Sequence, residues 1–144
     1  IIKTLQQEAS SYFHNDYDGW PNTWTHDSAD YVVSTGAPAQ SQLMGWNAIS
    51  SEYQQSIKNS RYIDDASIAP FLNKQDFRFY INGNVAMVSF IRGDILPIFE
   101  TSTLIKQNGE WKILNLTHID NGSYNMQAIM KVITSIMGKN WLAK

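Results

Sequence analysis

Apolar and polar positions alternate with a period of two over Val85 to Arg92 and Thr101 to Asp120, but recur at helical spacing in three other stretches. Leu5, Ala9, Tyr12, Phe13, Tyr17 and Trp20 follow one helical pattern until Pro21-Asn22 interrupts it, which predicts a first helix. Gly45 precedes a second, in which Trp46, Ile49, Tyr53 and Ile57 recur and which should run to about Lys58. Between the two, Ala29 to Ser34 reads as a short strand and Thr35 to Gln42 as a polar loop. Ser67 to Leu72 is ambiguous because Pro70 weakens either assignment. Phe77 to Ile81 and Val85 to Arg92 alternate around Asn82-Gly83-Asn84, a hairpin signal. Beyond the last strand, Asn121-Gly122 breaks the chain, and Met126, Ile129, Met130, Ile133, Ile136 and Met137 predict a terminal helix ending at Gly138. Helices first and antiparallel strands afterwards predict one α+β domain over residues 1–144: a core from about 5 to 123, a terminal helix over 123–137, and N-terminal helices over the concave face of a curved sheet.

The register of the last hairpin decides which side chains share a face. A two-residue Asn108-Gly109 turn would set Lys106 against Trp111 and Ile105 against Lys112. A three-residue loop with Gly109 left-handed pairs Lys106 with Glu110 and Ile105 with Trp111, a charge pair followed by an apolar pair, and is the expected register. Glu100, Ser102, Leu104, Leu114, Leu116, His118 and Asp120 then share the inner face. Thr101, Thr103, Ile105, Trp111, Ile113, Asn115, Thr117 and Ile119 share the outer one. The inner face runs from apolar near the turn to polar away from it, as the wall of a pocket does.

At that polar end, Arg92 follows Val88 and Phe90 inward and needs a partner. Glu100 can supply an ion pair tying two strands; alternatively the planar fork of Arg92 grips a ligand carboxylate or carbonyl. His118 is expected opposite position 98, with Glu100 diagonal to it and Asp120 two residues along. A carboxylate beside an imidazole fixes its tautomer, as a general base or acid requires, so the catalytic candidates are His118, Glu100 and Asp120. The other reading is a histidine satisfied by hydrogen bonds and chemically idle. Arg92, Ser102 and Phe90 on the sheet, with Tyr17, Trp20, Trp46 and Tyr53 on the helices, form the ligand-binding set, the aromatic rings offering stacking surfaces with polar tips. His14, Asp16 and Asp18 point in different directions on one helix, so no metal is expected, and Asp64-Asp65 reads as a solvated loop. No phosphate loop, nucleophile elbow or His-Glu-x-x-His helix is present, and no cofactor is expected.

Composition narrows the classes. A chain of 144 residues suffices to bury a core without staples, and with no cysteine neither disulfides nor thiol chemistry is available. The net charge of -2 comes from interspersed acids and bases, with no Lys/Arg cluster to neutralise a run of phosphates, so nucleic acid is not an expected partner. The apolar stretches fall far short of the ~20 residues that a spanning helix needs, so neither is a membrane. The sequence begins Ile1-Ile2 without methionine, which leaves an upstream signal peptide and the compartment open.

Three motifs in order carry a family resemblance: the Tyr/Trp-bearing first helix through Tyr12 to Trp20, Gly45-Trp46-Asn47-Ala48-Ile49 opening the second, and Asn108-Gly109-Glu110-Trp111-Lys112-Ile113 in the last hairpin. Over roughly Leu5 to Ser123 the chain resembles the nuclear-transport-factor-2-like (NTF2-like), or SnoaL-like, superfamily of cone-shaped α+β domains. Val88-Ser89-Phe90-Ile91-Arg92, Glu100-Thr101 and Asn108 to Trp111 are similar to the association domain of calcium/calmodulin-dependent protein kinase. In that subgroup a deep pocket contains three arginines, whose positions fall on Arg92, Ser102 and His118 here, so the resemblance implies a less positive pocket with a titratable imidazole in place of a fixed cation. The subgroup does not account for the terminal helix. The superfamily implies a small-molecule ligand between helices and sheet and isomerase, dehydratase or cyclase chemistry without a cofactor. It also implies a homodimer through the outer sheet face; a non-catalytic association domain is the alternative.

Overall fold

The computed structural model describes residues 1–35, 41–59, 65–94 and 97–119. The elements are α1 (Ile2–Phe13), a 3-10 turn (Pro21–Thr23), β1 (Tyr31–Thr35), β2 (Ser41–Met44), α2 (Trp46–Asn59), α3 (Asp65–Leu72), β3 (Lys74–Asn82), β4 (Val85–Arg92), β5 (Ile98–Gln107) and β6 (Glu110–Ile119). The strands form one curved sheet in the order β2-β1-β6-β5-β4-β3, antiparallel except where β1 runs parallel to β6. The predicted terminal helix lies outside the described residues.

α1 forms where Leu5, Glu8, Ala9 and Tyr12 recur on one stripe; Leu5, Glu8 and Ala9 are buried. It ends at Phe13, earlier than the spacing to Trp20 predicts, because the chain turns through a left-handed Asn15. Asp16 then accepts a hydrogen bond from the Gly19 amide (2.8 Å). Gly19 sits so close to Asp16 that a Cβ there would fall 2.0 Å from Oδ2. α2 starts after Gly45, whose φ is +81°, and buries Ile49 and Ile57. Ser67 to Leu72 resolves as part of α3, Pro70 included. Asp65, expected in a loop, opens that helix and meets His14 Nε2 at 2.7 Å. Of the stretch expected as a loop from Thr35 to Gln42, Thr35 ends β1, and Ser41 and Gln42 begin β2, which zips onto β1 from Tyr31↔Met44 to Ser34↔Ser41.

Two bulges set the faces of the sheet. Asn108 (φ 52°) and Gly109 (φ 86°) make a two-residue turn, with Gln107↔Glu110, Lys106↔Trp111 and Ile105↔Lys112 paired. This corrects the expected three-residue loop. Lys106 Nζ lies 5.9 Å from the centroid of the Trp111 ring, and Glu110 pairs with Lys112 at 2.8 Å, so the register that looked unfavourable has its own favourable contacts. The extra residue is instead accommodated in β6, where the register steps from Thr103↔Asn115 to Leu104↔Ile113. Between turn and bulge the faces are therefore exchanged: Ile113, expected outside, is fully buried beside Leu104, and Trp111 packs against the core. The bulge is tied by Asn115, whose Oδ1 accepts the Thr103 amide (2.6 Å) and whose Nδ2 donates to the Tyr31 hydroxyl. A second bulge in β3, between Gln75 and Arg78 with Asp76 at φ 56°, turns Lys74 inward.

The core lies between the layers. Leu5, Trp20, Trp24, Ile49 and Ile57 come from the helical side, and Val32, Val88, Phe90, Leu104, Ile113 and Leu116 from the concave face of the sheet. At about 25 cal/mol per Å² of apolar surface buried, each large side chain contributes on the order of 2 kcal/mol.

Candidate functional site

Beyond the two bulges, one row of the concave face reads Phe90, Glu100 and His118 across β4, β5 and β6, with Ser34 of β1 next to His118. His118 thus stands directly opposite Glu100, not opposite position 98 with Glu100 diagonal. One residue row further, Lys74 pairs with Arg92 across β3 and β4. Cross-strand neighbours stand close enough for their side chains to meet, and these converge on one carboxylate.

Glu100 is 1 % exposed. Its Oε1 accepts hydrogen bonds from Arg92 Nε (2.5 Å) and His118 Nδ1 (2.6 Å), and Lys74 Nζ is 3.6 Å from Oε2. Burial alone would raise the pKa of Glu100, but the His118 hydrogen bond and the charges of Arg92, His118 and Lys74 outweigh it and hold the carboxyl down at about 2. Lys74 is buried over the Phe90 ring, 4.8 Å from its centroid. That burial lowers its pKa against the upward pull of Glu100 and Glu8. Because an ionised Glu100 can only accept, Nδ1 of His118 carries a proton, and Nε2 is the basic nitrogen of the neutral ring. The Arg92 and His118 side chains keep 16 % and 20 % of their surface exposed.

A second carboxyl, Glu8 of α1, is buried on the helical side, where its Oε1 accepts the Trp20 indole N–H at 3.0 Å. Trp20 itself is fully buried and stacks on Tyr53 (4.7 Å) and Trp46 (5.8 Å), and Trp46 stacks on His26 (4.0 Å). Tyr53 is half-buried within this stack, and its phenol pKa is raised first by burial and then by Glu8, Tyr12 and Glu100.

The sequence-derived candidates divide accordingly. Arg92, Glu100 and His118 meet, and Phe90 lies in the same row. Ser102 faces inward but donates its hydroxyl to the Asn115 carbonyl (2.7 Å), which makes it part of the bulge. Trp20, Trp46 and Tyr53 form the stack, whereas Tyr17 is exposed (43 %) in the turn after α1 and supplies no buried donor. Asp120 lies outside the described residues. Glu8 and Lys74 are the two members that sequence reasoning missed. Glu8 had a legible signal, an acid three residues after Leu5 on the buried stripe of α1; Lys74 is inward only because of the β3 bulge.

No family model and no curated protein matches the sequence. Solved structures match the fold. A Streptomyces avermitilis protein from the NTF2-like family, provisionally named a dehydratase, is 15 % identical at a TM-score of 0.61, over 81 % of this chain and 89 % of that one. A Thiobacillus denitrificans protein provisionally named a calcium/calmodulin-dependent protein kinase type II association domain is 10 % identical at 0.58, over 81 % and 92 %. A Nostoc punctiforme protein of unknown function with a cystatin-like fold is 12 % identical at 0.59, over 87 % and 91 %. At these identities the likeness establishes the fold: α+β, NTF2-like, with a cystatin-like sheet. No described helix is long and apolar enough to cross a membrane.

Proposed function

We propose that this chain binds a small organic molecule bearing a carbonyl or carboxylate on the concave face of its sheet, and that His118 exchanges a proton with it. The observation that carries this reading is the 2.6 Å contact between His118 Nδ1 and a Glu100 carboxylate that Arg92 and Lys74 keep ionised. A buried carboxylate that orients an accessible imidazole is the arrangement general base catalysis requires. Arg92 holds Glu100 through Nε, and in this reading the two terminal amino groups of its fork bind a ligand oxygen. Isomerisation, dehydration and cyclisation next to a carbonyl all begin with such a proton transfer, and the provisional dehydratase name of one structural neighbour agrees with this class. The test is deuterium exchange at the α-carbon of a panel of ketones and 2-oxo acids. His118→Ala should slow exchange about 100-fold or more while leaving the circular dichroism unchanged. Equal exchange rates would remove His118 from any mechanism.

A second reading, homo-association, rests on the outer face of the sheet. Tyr80 (66 %), Met87 (57 %), Phe99 and Ile119 are exposed there, an apolar surface suited to a sheet-to-sheet homodimer, and one structural neighbour is named as an association domain. Sedimentation of Met87→Lys tests it: the variant should be monomeric where the native chain is dimeric, and equal masses would dismiss this face as the interface.

A further inference from the structure

We infer that two copies of this chain join along the open edge of β3, antiparallel about Phe79, so that their sheets continue as one. This inference rests on the homo-association reading above and moves its contact from the outer face to the edge of the sheet.

Among the described residues the sheet has two edges, β2 and β3. A free edge presents unpaired backbone N–H and C=O groups, which proteins blunt by shortness, charge, proline or a bulge. β2 is only four residues long. β3 runs for nine, and its bulge, between Gln75 and Arg78, lies at the Lys74 end. From Arg78 to Asn82 the strand pairs regularly with β4, and there Phe79, Tyr80 and Ile81 are exposed in succession. Phe79 and Ile81 share the concave side with Phe77, and Tyr80 stands beside Met87 on the outer one. Apolar side chains exposed on both sides of an open edge suit the addition of another strand.

Hydrogen-bond parity turns the right groups outward. Asn82↔Val85 closes the two-residue turn Gly83-Asn84, and the closing pair of such a hairpin exchanges its backbone hydrogen bonds. Alternation from that pair directs the N–H and C=O of Asn82, Tyr80 and Arg78 to β4, and those of Ile81 and Phe79 to the open edge.

The strand is also its own complement. Antiparallel pairing of two copies about Phe79 sets Phe79 against Phe79, Phe77 against Ile81, Arg78 against Tyr80 and Asp76 against Asn82. On the concave side Phe77, Phe79 and Ile81 of both copies then form one apolar row, extending the ring contacts that Phe77 already makes with Phe79 (5.7 Å) and Phe90 (5.3 Å). On the outer side each Arg78 guanidinium meets the Tyr80 ring of the other copy and each Asp76 a neutral amide, so no like charges are opposed. Centred on Arg78 instead, the pairing would set that cation against itself. Centred on Tyr80, it would leave Phe77 against Gly83 of the turn. The Phe79 register avoids both, and its two-fold symmetry closes the assembly at a dimer.

The experiment uses the full chain. An edge from Asp76 to Asn82 is a small interface, so sedimentation is followed from ~1 to ~100 µM, with amide hydrogen exchange at both ends of that range. A dimer should form as the concentration rises. The Phe79 and Ile81 amides should then exchange at least about tenfold more slowly, while the Tyr80 amide, already bonded to β4, changes little. Phe79→Pro removes an edge N–H without touching a bond to β4, and should stay monomeric where Met87→Lys dimerises. A dimer in which the Phe79 and Ile81 amides gain no protection overturns the edge contact alone, even if Phe79→Pro does not fold. A Phe79→Pro chain that folds and still dimerises does the same. A native chain that is monomeric at ~100 µM overturns homo-association and the edge contact with it.

Discussion

Replacing Glu100 with Gln keeps the shape of the side chain and removes the charge on which Arg92, His118 and Lys74 converge. Each pKa unit corresponds to about 1.36 kcal/mol, so lowering Glu100 from 4.5 to about 2 contributes roughly 3 kcal/mol of stability at neutral pH. At 1 % exposure, solvent screening removes little of this. Breaking a buried ion pair from one side costs about 3–5 kcal/mol by experience with other proteins, which agrees. Because the folded pKa is depressed, this stability is fully present above pH 4.5 and is lost as the pH falls towards 2. Urea unfolding of both proteins between pH 7 and pH 2 is the assay. Glu100→Gln should be less stable by roughly 3 kcal/mol at pH 7, with the difference shrinking to near zero by pH 2. A difference below about 1 kcal/mol at pH 7, or one independent of pH, would refute the view that Glu100 is a buried carboxylate held by Arg92, Lys74 and His118.

Other perturbations separate structure from chemistry. Lys74→Met removes a buried ammonium from above the Phe90 ring, leaves Glu100 two partners and should change stability by no more than about 1 kcal/mol; a loss above 3 kcal/mol on urea unfolding would make Lys74 a structural anchor. Asn115→Ala frees the Thr103 amide at the bulge and should cost about 1–3 kcal/mol, with faster hydrogen exchange at Thr103; unchanged exchange would deny that Asn115 closes the bulge. Glu8→Gln abolishes an ionisation that burial disfavours, so its stability relative to the native chain should improve as the pH rises above 4.5; a relative loss in that range would mean that Glu8 is stabilised as a carboxylate. Gly109→Ala meets no atom within 4 Å but occupies a left-handed position, and thermal unfolding should register about 1 kcal/mol of backbone strain alone.

The polar row was legible in the sequence through a coincidence of parity. One additional residue between Ser102 and His118 places both on the concave face, whether it sits in the turn or within β6; the sequence favoured the turn, and the fold has it at Leu114. Residues beyond the bulge were therefore assigned to the correct face and shifted by two along it, whereas Trp111 and Ile113, between turn and bulge, were assigned to the wrong one. Alternation cannot locate a bulge, because both placements satisfy the pattern on either side. The same limit hid Lys74, since the alternation of Phe77, Phe79 and Ile81 carried back over Asp76 points Lys74 outward. The helices were legible from their spacing, but not the end of α1, where the turn at Asn15 and the Asp16–Gly19 contact override a continuing aromatic pattern.

The tautomer of His118, read from long-range ¹H–¹⁵N correlations of the imidazole in the native chain and in Glu100→Gln, reaches the central claim most directly. The expected result is that the neutral form of the ring carries its proton on Nδ1 in the native chain and loses that preference in the variant. A native ring protonated at Nε2 and bare at Nδ1 would contradict it, because the carboxylate of Glu100 would then have no proton to accept from His118.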